Sequence, residues 1–158
     1  MKELKDKVAF VTGGASGIGF GIASALTDVG VKVVIADIEQ KQLDKAVEKL
    51  KTKGADVLGV QVDVTDRVAM EQAAEKVEKH FGNIHILCNN AGVASGGSMD
   101  KVSYKDWDWV LGVNIGGVVN GVMTFVNRIK SHGEGGHIIN TASLTGHMAA
   151  PGMGVYNT

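Results

Sequence analysis

An α/β fold built on a doubly wound parallel sheet is predicted by three observations. Apolar runs of strand length alternate with amphipathic stretches of helix length, as in successive βαβ units. The runs do not alternate apolar with polar, as expected when helices cover both faces of a sheet. The first run leads directly into a glycine-rich turn. A chain of 158 residues suffices for one compact domain, expected to span residues 1–158.

Five strands are read in order: Lys7 to Val11, Lys32 to Ala36, Val57 to Val62, His85 to Cys88, and His137 to Asn140. Between them lie helices near Gly17 to Val29, Glu39 to Lys53, Arg67 to Phe81, and a long one from Tyr104 to Ile129. Right-handed crossovers then set a three-layer domain with strand order 3-2-1-4-5.

The turn after the first strand reads TGGASGIG, from Thr12 to Gly19. Gly13 and Gly17 can take backbone angles closed to other residues and carry no side chain to hold a phosphate off. Gly19, beside Ile18 in the first helical turn, lets helix and strand pack closely while free N–H groups and the helix dipole face an anion. Ser16 adds a hydroxyl donor. The strict GxGxxG spelling is absent, and a lone glycine-rich loop also suits an ordinary turn. The strand before it and the amphipathic helix after it favour a Rossmann-type dinucleotide cradle.

The second strand ends at Asp37, where the fingerprint places an acid that accepts hydrogen bonds from the adenosine ribose. Such an acid repels a 2′-phosphate. No Lys or Arg lies in the loop or directly after Asp37, so NAD is expected over NADP. A solvated strand end is the alternative for Asp37.

Composition narrows the class further. The formal net charge is −1, which makes no electrostatic case for nucleic acid. The charged start, MKELKDK, is not followed by a signal-type apolar segment, and no apolar run approaches membrane-spanning length. A cytoplasmic protein without membrane contact is expected. Cys88 is the single cysteine and is read as a buried thiol. The five histidines show no metal-type spacing, so no metal is expected.

In the long fourth helix, Trp107, Leu111, Asn114, Val118, Val122, Phe125 and Ile129 mark one stripe with a single polar member. Trp107 and Trp109 are read as packing anchors. Gly112, Gly116, Gly117 and Gly121 each cost roughly 0.8 to 1 kcal/mol against Ala when exposed. Close approach of another helix or backbone would offset that cost, and a subunit interface is one candidate.

With the loop, the acid and the strand order in place, four further strings make the chain resemble the short-chain dehydrogenase/reductase family. They are DVT from Asp63, NNAG from Asn89, the helix-borne Asn114, and TAS from Thr141 to Ser143 followed by Tyr156. The resemblance implies that Asp63 bonds the adenine amino group, that the Val64 backbone contacts the ring, and that Asn90, Ala91 and Gly92 close over the cofactor. On residues alone, DVT could instead cap the next helix, and NNAG could be a turn of residues tolerant of the left-handed region.

The resemblance also implies a catalytic group of Asn114, Ser143 and Tyr156 acting on a small alcohol or ketone. Ser143 would hydrogen-bond the substrate oxygen, Tyr156 would take the hydroxyl proton as hydride leaves carbon, and Asn114 would support a water-linked proton path. The family's partner lysine falls two residues beyond Thr158. The chain is therefore expected to be C-terminally truncated, lacking the family's last strands and substrate lobe, with its fifth strand left as an open edge.

GGASGIGFGIA, from Gly13 to Ala23, and the segment from Thr141 to Thr158 are also similar to dehydrogenases that oxidise the benzylic Cα alcohol of lignin-derived aryl ethers. The functional expectation is an NAD-dependent oxidoreductase interconverting a secondary alcohol and a ketone, represented here by its cofactor-binding portion. A homo-oligomer through the Tyr104 to Ile129 helix is expected. The alternative is a catalytically inactive truncated module that binds NAD or pairs with another subunit.

Overall fold

The computed structural model describes residues 3–158. Its strands are β1 (Val8–Thr12), β2 (Lys32–Asp37), β3 (Val57–Gln61), β4 (Ile86–Asn89) and β5 (His137–Asn140). All pairings are parallel, in the order β3-β2-β1-β4-β5. This is the expected doubly wound arrangement. Three strands reach one residue further than expected, to Thr12, Asp37 and Asn89, because pairing outlasts the apolar run, whereas β3 stops one residue short, at Gln61.

The helices are α1 (Gly17–Asp28), α2 (Gln40–Lys51), α3 (Arg67–Phe81), α4 (Tyr104–Leu111) and α5 (Gly117–Ser131). Successive side chains of a strand point to opposite faces of the sheet. Val8 and Phe10 accordingly pack with Val34, Met70, Val77, Leu87 and Phe125, beneath α3 and α5. Ala9 and Val11 pack with Val33, Ile35, Leu43, Leu50 and Cys88, beneath α1 and α2. The Phe10 and Phe125 rings lie 4.6 Å apart, tilted by 38°. That contact joins the central strand to α5.

The fourth helical stretch runs continuously from Tyr104 to Ser131, with α4 and α5 joined by a π-helical segment, Gly112–Gly116. Its buried face departs from the expected stripe. The inward positions of α5 are Gly117, Asn120, Gly121, Thr124, Phe125 and Ile129, whereas Leu111 is exposed and Val118 and Val122 are half-buried. Backbone, not branched side chains, makes the closest contact with the sheet. A Cβ on Gly117 would lie 2.6 Å from Val64 Cγ2, and one on Gly121 would overlap the Asn89 carboxamide. Two of the four glycines are thus accounted for inside the chain, without a subunit interface.

By length and hydropathy alone this helix could cross a membrane, which corrects the expectation that no stretch is long enough. Its apolar composition serves the sheet instead, through Phe125 and Ile129. A second apolar stripe, Leu111, Ile115, Val119 and Met123, points outward and is exposed. Strand β5 pairs only with β4 among the described residues, and three of its four residues are exposed.

Candidate functional site

The C-terminal ends of the parallel strands carry the polar and glycine-rich segments, and these converge on one cleft of about 1070 Å³. Ligands bind open α/β sheets at this end, where the strand order reverses. Here the reversal falls between β1 and β4, beside the glycine loop. A second groove of about 570 Å³, between α2 and β3, has a floor of Leu43, Val47 and Gly59 and takes in none of the segments the sequence singles out.

The loop is shaped as its glycines require. Gly13 and Gly17 have φ of 61° and 50°, in the left-handed region. A Cβ on Gly19 would overlap the Gly13 carbonyl and the Asn90 carboxamide, so this position admits no side chain. At Gly17 nothing lies within 4 Å of an added Cβ, and the loop is open there to an incoming group. Ser16 is the N-cap of α1, yet its side chain makes no capping hydrogen bond, and α1 has no acidic residue in its first turn. The positive end of the helix dipole and a free hydroxyl are therefore left for an anion.

Thr12, unremarked in the sequence beyond opening the loop, is the hub that holds the cleft together. It is 2% exposed. Its hydroxyl oxygen accepts from the Asn90 N–H at 2.9 Å and the Ala91 N–H at 3.0 Å, and donates to the Cys88 carbonyl at 3.4 Å. Asn90 Nδ2 donates in turn to the carbonyls of Thr12 and Gly13, at 3.2 and 3.3 Å. Asn89 and Asn90 do not adopt positive φ, so NNAG works as a side-chain clamp between β1 and β4 rather than as a left-handed turn.

Two carboxylates are fixed in the same cleft. Asp37 accepts from the Ala15 N–H at 3.0 Å through Oδ2 and from the Glu39 N–H at 3.1 Å through Oδ1, which ties the end of β2 to the glycine loop. Asp63 Oδ1 accepts from both the backbone N–H and the hydroxyl of Thr65, at 2.9 and 2.8 Å, leaving Oδ2 without a partner among the described residues. Asp66, not Asp63, caps α3, accepting from the N–H groups of Val68 and Ala69. Among the described residues, four carboxylates line the cleft, from Asp37, Glu39, Asp63 and Asp108, against one cation, Lys105.

The residues singled out for the cofactor, Gly13, Ser16, Gly17, Ile18, Gly19, Asp37, Asp63, Val64, Asn90, Ala91 and Gly92, all line this cleft. An open helix N-terminus, a glycine cradle and a free carboxylate oxygen together fit a dinucleotide. Tyr156 and Thr141 line it too. Ser143 and Asn114 do not. Ser143 caps the short 3-10 turn Leu144–Gly146 and its hydroxyl lies 2.9 Å from that of Thr145. With Thr145 donating, Ser143 keeps its own O–H for another acceptor.

Asn114 lies in the π segment, a local widening that recurs at functional sites. Its carboxamide is spent on one residue: Oδ1 accepts from the Val93 N–H at 2.8 Å and Nδ2 donates to the Val93 carbonyl at 2.9 Å. The polar member of the helix thus holds the chain just after Gly92 in place. Periodicity read at a uniform helical pitch has no means of showing this.

Away from the cleft, His85, His132 and Glu134 bring possible ligand atoms within 4.8 Å of one another, a juxtaposition invisible in their spacing. Every ring nitrogen already has a partner. Nδ1 of His85 accepts from the Val8 N–H and Nδ1 of His132 from the Glu134 N–H, which puts the ring protons on Nε2, where they bond Glu134 and the Ile84 carbonyl. Lys7 and Asn83 also donate to Glu134 and, with His85, hold its carboxyl down at about 2. The cluster is a clamp between β1, β4 and the turn before β5, and both imidazole lone pairs are taken by backbone N–H groups.

Comparison with known proteins agrees with the fold. Residues 7–158 match the short chain dehydrogenase family. The chain is 44% identical over 158 residues to a C alpha-dehydrogenase of Sphingobium sp., covering 99% of this chain and 52% of that protein. It is 37% identical over 156 residues to an NADP-dependent (R)-specific alcohol dehydrogenase of Lentilactobacillus kefiri, covering 98% of this chain and 61% of the relative. The crystal structure of a short chain dehydrogenase/reductase from Burkholderia phymatum in complex with NAD superposes with a TM-score of 0.97 at 41% identity, over 99% of this chain and 56% of that one. The chain spans about half the length of the curated relatives it matches. The chain belongs to the short-chain dehydrogenase/reductase family.

Proposed function

We propose that this chain is the cofactor-holding portion of an NAD-dependent oxidoreductase that interconverts a secondary alcohol and a ketone. The observation that carries the reading is the Asp37 carboxylate, held by two backbone N–H groups beside the open N-terminus of α1. A carboxylate in that place accepts from ribose hydroxyls and repels a 2′-phosphate, and the excess of acids in the cleft acts in the same direction. NAD rather than NADP follows, in contrast with the Lentilactobacillus relative, whose name gives NADP.

In this reading Gly13, Ser16, Gly17, Ile18 and Gly19 take the pyrophosphate, Asp37 the adenosine ribose, Asp63 and Val64 the adenine, and Asn90, Ala91 and Gly92 close the far side. NAD, when bound, supplies the hydride acceptor. Tyr156 takes the proton of the alcohol hydroxyl and Ser143 donates a hydrogen bond to the same oxygen. Asn114 orders Val93, next to Gly92, and supports the proton path to solvent. The likeness to the Sphingobium C alpha-dehydrogenase supports an aryl-substituted secondary alcohol as substrate. The exposed stripe Leu111, Ile115, Val119 and Met123 supports pairing of two copies through this helix.

The test is formation of NADH from a panel of secondary alcohols, by the chain alone and joined to the C-terminal half of a relative. Turnover that is lost in Tyr156→Phe, with NAD binding retained, is expected. NAD binding without turnover of any alcohol in either form would instead favour the inactive binding module.

A further inference from the structure

Trp109 has no part in the assignments above, yet it lines the cleft while 49% exposed. The sequence reads it as a packing anchor, and the structure does not place it in either core cluster. It reaches the cleft from α4, distant in sequence from the glycine loop. Lys105, Asp108, Gly112 and Val113 line the cleft with it, at positions three and four apart or adjacent, so one face of α4 and the turn after it forms a wall.

That wall abuts the turn after β3. A Cβ on Gly112 would lie 3.8 Å from Thr65 Cγ2, and Thr65 holds Asp63. The two large apolar side chains most open to water in the cleft are Ile38, 56% exposed, and Ile18, 70% exposed; Trp109 and Tyr156 are the aromatics of its lining, and Trp109 is the one that α4 carries. Asp63 Oδ2 in the same cleft has no partner among the described residues. A half-exposed indole and a carboxylate oxygen open to a donor, lining one cleft, suit a flat heteroaromatic ring bearing an amino group. Trp107 does not line the cleft.

We propose that Trp109 is a purine-covering residue, its indole closing the adenine end of the cleft from α4. The proposal rests on the dinucleotide reading and adds a specificity wall that the loop motifs do not contain.

The chain has two tryptophans, so single replacements separate their signals. AMP is the probe, because it carries the purine without the nicotinamide. In W107F, AMP and NAD should change the emission of the remaining Trp109, whereas in W109F the emission of Trp107 should stay constant. Calorimetry should show AMP and NAD binding W109A roughly tenfold more weakly than the parent chain, the scale of one lost base–aromatic contact, with W109F within about twofold. Circular dichroism establishes that both variants are folded. AMP bound as tightly by W109A as by the parent, or an emission change that follows Trp107, would overturn the proposal. In that case NAD binding by the parent would leave the dinucleotide reading standing; its absence would overturn both.

Discussion

Replacing Thr12 by Val isolates the hub of the cleft. The two side chains have nearly the same shape, but Val lacks the oxygen that accepts from Asn90 and Ala91 at 2.9 and 3.0 Å. Thr12 is buried, so water has little access to replace it. Leaving a buried donor unsatisfied costs about 1–3 kcal/mol. Both donors here are part-buried, which places each near the lower end and the pair at about 2–4 kcal/mol. With a urea dependence of roughly 1–3 kcal/mol per molar, the unfolding midpoint should fall by about 1–2 M. Urea unfolding followed by far-ultraviolet circular dichroism reads this directly. Thr12→Ser keeps the hydroxyl and should lose far less, on the order of 1 kcal/mol for the missing methyl. A Thr12→Val midpoint equal to that of the parent, or a Ser variant as damaged as Val, would refute the hub.

Two glycines predict opposite signs. Gly121→Ala should destabilise by about 1–3 kcal/mol, because its Cβ overlaps the Asn89 carboxamide. Gly21→Ala, in α1 with nothing within 4 Å, should stabilise by roughly 0.5–1 kcal/mol, and thermal melts of both variants check the contrast. Glu134 has its carboxyl lowered from the ordinary 4.5 to about 2, chiefly by hydrogen bonds from Lys7, His85 and Asn83. A depressed folded value gives stability that is complete above the ordinary value and lost as pH falls towards about 2. Glu134→Gln should flatten the acid limb of a stability–pH profile in that window while leaving its neutral shape alone. The Cys88 thiol is pushed up to about 11 by burial, so a disulfide reagent at mildly alkaline pH should react with it only as fast as the chain opens.

Element type and strand order were legible because continuous apolar runs such as Val33 to Ala36 leave few alternatives to a buried parallel strand. The glycine loop and the place of Asp37 at the end of β2 were legible because backbone geometry restricts residue type at fixed offsets after a buried strand. What was not legible depends on contacts between distant segments. Apolar periodicity nominated Val118 and Val122 for the inner face of α5, whereas the inward positions are Gly117, against Val64 after β3, and Gly121, against Asn89 of β4, where the absence of a side chain is what permits packing. Thr12 carried no signal beyond its place before Gly13, since a hub is defined by the N–H groups of Asn90 and Ala91 far along the chain. Trp109 looked like core because exposure of one helical face cannot be told from burial by periodicity alone.

The central claim, that the cleft holds NAD and that Asp37 selects it, is tested most directly by calorimetric titration of NAD and NADP into the parent chain and into Asp37→Ala. The parent is expected to bind NAD more tightly than NADP, and the gap to narrow in the variant. Equal affinity of the parent for the two, or an unchanged preference after Asp37 is removed, would contradict it.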